Sequence, residues 1–332
     1  MNYIDTNLAH IIDAKEKHYQ YLRYVMMKKL NGKYFTEPKP ISSIKTIQIV
    51  NGIHSSVKKF LNNENNLKKF LNNENNLKKV LIGTPEEIDN IKSKFKTKKE
   101  IASIKKLFNY DSWIDYSDRS TYTFYNAYSL AQNLDIPTCP YCNRMYTKTV
   151  IVNGKDKITR PTFDHWFLKS KYPLLALSFH NLVPSCTICN SGVKGTDSLE
   201  LHTHFHPYSA IQKDKKILDF RYSYEHKDYS TFKFKIKHNN SFSKDSTDIF
   251  KLKEIYETHE DEITDLRRLR DVYSEKYLAM LKNNILKGTS ISDEEIYRLA
   301  FGTHINEDKF DRRPLSKMKK DILEELGILR HI

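Results

Sequence analysis

The only four cysteines of this chain fall into two C-x-x-C pairs, Cys139-Pro-Tyr-Cys142 and Cys186-Thr-Ile-Cys189. Two thiolates on one tight turn can take adjacent corners of a tetrahedral metal site, so two such turns predict a closed four-cysteine site for structural zinc. Four thiolates leave no open position for water, which assigns this metal to holding the fold rather than to chemistry. The stretch from 142 to 186 is much longer than the ~15–20 residues of a simple zinc ribbon, so a folded insert separates the two knuckles. A disulfide is the competing use of such pairs, and a reducing cytoplasm disfavours it.

The insert carries its own signals. Residues 146–152, then Asn153-Gly154, then residues 157–165 predict a hairpin with a type I′ turn, its second strand ending on Asp164-His165. Cys186-Thr-Ile-Cys189-Asn190 should lead into a helix, so strand, strand and helix converge. Asp-His alone is weak evidence for chemistry, and a lone asparagine is usually a turn or cap residue. Their position inside the cysteine frame gives both more weight.

The flanks read mainly as helix. Apolar residues from Leu8 to Leu30 recur on one helical face, stopped by Asn31-Gly32. Residues 58–67 are repeated identically at 68–77, which reads as a duplicated piece of exposed helix or coiled-coil-like arm. Thr84-Pro85-Glu86-Glu87 supplies an N-cap, a proline in the first turn and a capping-box glutamate, predicting a helix to about residue 108. The aromatic-rich stretch 113–134 reads as core packed onto the site. Residues 219–242 alternate polar with aromatic, as half-buried strands do, and 252–286 predicts one long amphipathic helix. Ser292 and Glu295 form another capping box, and a last helix carries Ile322, Leu323 and Leu326. The expected organisation is a helical region at 1–110 with the repeat at 58–77, a zinc-bearing core at 111–210, and a small sheet plus helices at 211–332. The fold class is α+β and mainly helical.

Lys+Arg 55 against Asp+Glu 41, a net charge of +14, predicts attraction to polyanions, nucleic acid above all. Charge alone is weak evidence, since solvated lysine-asparagine runs give the same balance. No run approaches the roughly 20 apolar residues of a membrane span, and the first residues lack the pattern of a signal peptide, so a cytoplasmic protein without membrane contact is expected.

Asp164-His165, Asn181 and Cys189-Asn190 with Lys194-Gly195 beyond resemble the ββα-metal site of HNH endonucleases, in the zinc-bearing subclass. The resemblance implies His165 as general base, Asp164 and Asn190 as ligands of a catalytic divalent ion, Mg2+ or Mn2+, and Asn181 as a brace of the loop. It also implies a phosphate contact for Lys194 and nucleic acid, DNA in the first place, as substrate. Cys139-Pro-Tyr-Cys-Asn-Arg144, the stretch 169–178 and the tail Arg313-Pro-Leu-Ser-Lys317 are similar to HNH proteins of Septu-type antiphage loci, whose family commonly works beside an ATPase subunit. The similarity is tight over about 139–208 and covers none of the first ~110 residues. Leu168 stands where many HNH sites carry proline. Two other readings remain open: a non-catalytic, zinc-stabilised nucleic-acid-binding module, and a regulatory subunit gated by a partner.

His202, His204 and His206 would share one face of a strand and could bind a second metal there. Pro207 follows at once and argues against such a strand.

Overall fold

The computed structural model describes residues 1–32, 47–62, 75–114, 125–153, 156–226, 232–272, 280, 284 and 291–329. Most of the tandem repeat, Tyr122, Gly154 of the expected turn and nearly all of 273–286 lie outside these.

Helix α1 (Ala9–Asn31) follows the apolar periodicity and stops where glycine permits a left-handed backbone: Gly32 has φ 67° and donates its N–H to Lys28 O. After α1 come α2 (Ser55–Leu61), α3 (Asn76–Ile82), α4 (Pro85–Ile91), α5 (Lys98–Leu107), α6 (Tyr110–Ile114) and α7 (Ala127–Leu134). α1 packs on α3 and α7. The capping box at Thr84 and Glu87 forms as expected, but the helix that it opens ends at Ile91. A second capping box, Thr97 with Glu100, restarts the chain as α5, so the single helix expected to residue 108 is two.

The insert also divides differently from the expected single hairpin. β1 (Val150–Val152) pairs antiparallel with β2 (Asp156–Thr159), and Asn153 adopts the positive φ of 52° that a primed turn requires. Arg160-Pro161 then ends that ribbon, because proline has no N–H to continue a ladder. β3 (Thr162–His165) belongs to another hairpin and pairs with β4 (Leu182–Ser185) in the register Asp164↔Val183, His165↔Leu182. The β1–β2 ribbon is exposed, whereas Phe163, Asp164, His165 and all of β4 are buried. A π-type helical turn, Ile188–Lys194, follows β4.

α8 (Ala210–Asp214) leads to the expected small sheet, β5 (Phe220–His226) with β6 (Phe232–His238), and α9 (Ser241–Ile249) follows it. Its alternating aromatic residues Phe220, Tyr222, Phe232 and Phe234 are buried. α10 (Leu252–Glu257) and α11 (Glu260–Val272) replace the one long helix expected, with the break at Thr258-His259. α12 (Asp293–Phe301) starts at the Ser292 capping box, and α13 (Ser316–Glu325) packs on β5 with Ile322 and Leu323 buried.

The architecture is thus α+β, with helices around three two-stranded antiparallel sheets among the described residues. One connected hydrophobic cluster runs from Met1 to Leu326 through all three expected regions. No helix among the described residues is long and apolar enough to cross a membrane.

Candidate metal centre and adjoining carboxylate-histidine site

Cys139, Cys142, Cys186 and Cys189 come together in the interior, their Sγ atoms all within 4.8 Å of one another. All four are free, and Cys142 Sγ lies 3.9 Å from Cys186 Sγ, about twice the length of a disulfide bond. Thiolates at about 2.3 Å from a tetrahedral zinc stand ~3.8 Å apart, so this spacing fits the metal. The N–H groups of Arg144 and Cys189 point at Cys142 Sγ and Cys186 Sγ, both at 3.4 Å, and favour negative sulfur. Contacts from the other three thiols pull the Cys142 thiol down, while burial pushes Cys139 up. Four adjacent thiolates need a positive centre among them, and zinc would supply it without redox chemistry. Among the described residues this is the one His/Cys/Asp/Glu group arranged to hold a metal.

The first knuckle is tied to distant chain. Asn143, at φ 50°, gives its carbonyl to Leu315 N (2.6 Å) and its amide to Phe310 O (2.7 Å), anchoring the start of α13. Tyr256 of α10 donates its hydroxyl to Cys142 O. The second knuckle runs straight from β4 into the π-type turn that carries Asn190 and Lys194.

Tyr141, between the first two cysteines, joins this centre to Asp164. Its hydroxyl donates to Asp164 Oδ2 at 2.7 Å, and Lys194 Nζ donates to Oδ1 at 2.8 Å. Lys194 also bonds His165 O at 3.1 Å. The carboxylate therefore has one oxygen on a phenol and the other on an ammonium, all buried. The resemblance implies a phosphate contact for Lys194. In this structure, which holds no phosphate, its side chain is buried and reaches Asp164 from the turn Ile188–Lys194, which packs on β3.

His165 is 8% exposed, and its Nε2 lies 3.0 Å from Ala176 O. A carbonyl only accepts, so Nε2 carries the proton and Nδ1 holds the lone pair of the neutral ring. Burial pulls the imidazole pKa down from 6.5 to about 4, against the Ala176 carbonyl and the Asp164 charge, which favour the proton. The ring meets Tyr110 edge-on at 4.4 Å, and Lys169 lies over that tyrosine while its Nζ pairs with Asp111 Oδ1 at 2.6 Å.

Three successive carbonyls of the loop between β3 and β4 receive three side-chain donors. Asn181 Nδ2 bonds Leu175 O at 2.9 Å, His165 bonds Ala176 O, and His18 Nε2 of α1 bonds Leu177 O at 2.8 Å. Asn181 closes the loop further, accepting from Phe167 N at 2.6 Å and donating to Phe167 O at 3.0 Å. The end of α3 is tied to the same loop, where Ser178 bonds Val80 O and His180 Nδ1 bonds Gly83 O at 2.7 Å. These contacts satisfy carbonyls that a helix end leaves open.

Asp164, His165, Asn181 and Lys194 are thus brought into one connected network. Asn190 sits half-buried on the π-type turn beside the zinc-consistent cluster, and its side chain makes no hydrogen bond to Asp164 or His165. The three alternating histidines form no strand, since the chain turns at 201–204; His206 is buried against Trp166, whereas His202 is exposed. Tyr141 and Tyr110 were missed as site residues: one was read only as part of a knuckle, and the other lies between the helix expected to residue 108 and the aromatic stretch that starts at 113. No family model matches the chain, and no curated protein or solved structure matches it.

Proposed function

We propose that this protein is a metal-dependent endonuclease of the zinc-bearing HNH kind that hydrolyses phosphodiester bonds, with DNA as first substrate. The observation that carries the reading is the His165 Nε2 bond to Ala176 O, which leaves Nδ1 with the lone pair on the residue that follows the buried carboxylate Asp164. His165 then takes a proton from water, the resulting hydroxide attacks phosphorus in line, and the leaving oxygen departs on the opposite side. Burial keeps the ring neutral at cytoplasmic pH, and an adjacent phosphate favours the imidazolium that forms.

Asp164 and Asn190 would hold the divalent ion. When bound there, Mg2+ or Mn2+ stabilises charge on the phosphate and on the leaving oxygen. Asn181 fixes the loop whose carbonyl orients His165, and the excess of basic residues draws the polyanion in. The resemblance to Septu-type proteins extends the reading to an effector of antiphage defence that works beside an ATPase subunit.

A second reading, a non-catalytic nucleic-acid-binding module, is favoured by the full set of partners on Asp164 and by the separate Asn190 side chain. Incubating zinc-replete protein with supercoiled plasmid, and separately with single-stranded RNA, in Mg2+ or in EDTA separates the two. The nuclease reading expects metal-dependent nicks or breaks in DNA. Binding to DNA without cleavage in Mg2+ or in Mn2+ would support the second.

A further inference from the structure

We propose that Lys194 is a tethered cation that fills the divalent-ion position at Asp164 until the ion displaces it. The proposal rests on the nuclease reading for its meaning, since it concerns the same carboxylate.

Lys194 Nζ stands 2.8 Å from Asp164 Oδ1, with side-chain exposure of 0% and 3% for the two residues. Tyr141 holds Oδ2. A divalent ion ligated by this carboxylate would approach to about 2.1 Å, and an ammonium on the same oxygen would repel it across a dry interior. Both cations cannot keep that place. A buried pair adds little net stability but is costly to break when one charge is left alone, so another cation at Asp164 offsets the cost of releasing Lys194.

The segment that carries Lys194 suits such an exchange. The turn Ile188–Lys194 is of the wide π type, a form often found at functional sites, and Gly195 N closes it on Asn190 O at 3.0 Å. Gly195 follows at φ 51°, and open space surrounds Gly192. Asn190, the second expected ligand, lies on this turn with its amide free of side-chain hydrogen bonds among the described residues. Asn190 and Lys194 share this turn, so a movement that withdraws the ammonium also moves the amide. The released Lys194 is then available to a phosphate, the contact expected from the sequence.

Mn2+ binding to zinc-replete protein, followed by the electron paramagnetic resonance of free Mn2+, tests the exchange without any cleavage assay. Lys194→Met should bind Mn2+ roughly tenfold tighter or more than wild type, and Asp164→Asn should lose that binding. Unchanged or weaker binding by Lys194→Met, with Asp164→Asn still abolishing it, overturns the exchange and leaves the nuclease reading intact. Equal Mn2+ binding by wild type and Asp164→Asn removes the carboxylate from the metal site, and both ideas fall. A second measurement needs no variant: amine acetylation mapped by mass spectrometry, with exposed Lys171 as reference. Saturating Mn2+ should raise labelling of wild-type Lys194 several-fold, and labelling that stays at its metal-free level contradicts the proposal.

Discussion

Tyr141 Oη lies 2.7 Å from Asp164 Oδ2, so the turn that carries Cys139 and Cys142 also holds the carboxylate beside His165. The two centres are not independent. Tyr141→Phe keeps the ring, which stacks on Phe250 at 4.1 Å, and removes only the donor. Loss of such an outer partner typically costs 10–100-fold in activity or metal affinity. We expect a loss of that size in cleavage with zinc content unchanged, measured by plasmid nicking beside elemental analysis. Wild-type activity in Tyr141→Phe would uncouple the two centres.

Zinc should be required for the fold itself. The cluster joins chain at 139–142 to chain at 186–189, and Asn143 and Tyr256 tie it to α13 and α10. Metal-binding energy at such sites is folding energy, so a chelator strong enough to strip zinc should unfold the protein, seen as loss of near-ultraviolet circular dichroism. Elemental analysis should find about one zinc per chain. A folded, zinc-free preparation would contradict the assignment.

Asn181→Ala should destabilise strongly for a polar substitution. It removes three hydrogen bonds, to Phe167 N, Phe167 O and Leu175 O, and leaves buried backbone groups unpaired. The expected cost is about 1–3 kcal/mol per stranded group, before any relaxation of the loop. Urea unfolding gives the value; a change near zero would mean that water or a shifted loop replaces the amide.

Stability should fall in mild acid through His18 and His180. Both are buried, and burial lowers each pKa from 6.5 to about 4, despite carbonyl acceptors that favour the proton. The unfolded chain therefore binds more protons between those limits, and stability rises with pH across the window and levels off above about 6.5. The fall toward pH 4 is on the order of 3 kcal/mol per histidine. His18→Gln can keep both contacts, to Leu177 O and Tyr125 Oη, without a titrating ring. Its melting temperature should decline less steeply between pH 6.5 and 4 than that of wild type.

Local signals in the sequence located most elements. The Gly32 stop, the Thr84 and Ser292 caps and the alternation at 219–242 each rest on a few neighbouring residues, and each element forms. Cys-x-x-Cys spacing likewise brought out the four-cysteine cluster, which fits zinc. Boundaries failed where a second local signal competed: the Thr97–Glu100 box split one expected helix, Thr258-His259 split another, and Arg160-Pro161 cut the hairpin. The pairing of β3 with β4 was hidden because it spans a loop whose shape depends on α1 and α3. The pairing of Lys194 with Asp164 was hidden for a related reason. Its side chain finds Asp164 across 30 residues, a contact set by the turn after Cys189 and not by any neighbour in sequence.

The most direct measurement is cleavage of supercoiled plasmid by zinc-replete wild type and His165→Ala, side by side in Mg2+ and in Mn2+. Removing a positioned general base should slow hydrolysis roughly 10²–10⁴-fold, while zinc content and melting temperature show both proteins folded. That result assigns the proton transfer to His165. Equal cleavage by the two proteins would contradict the account at its centre.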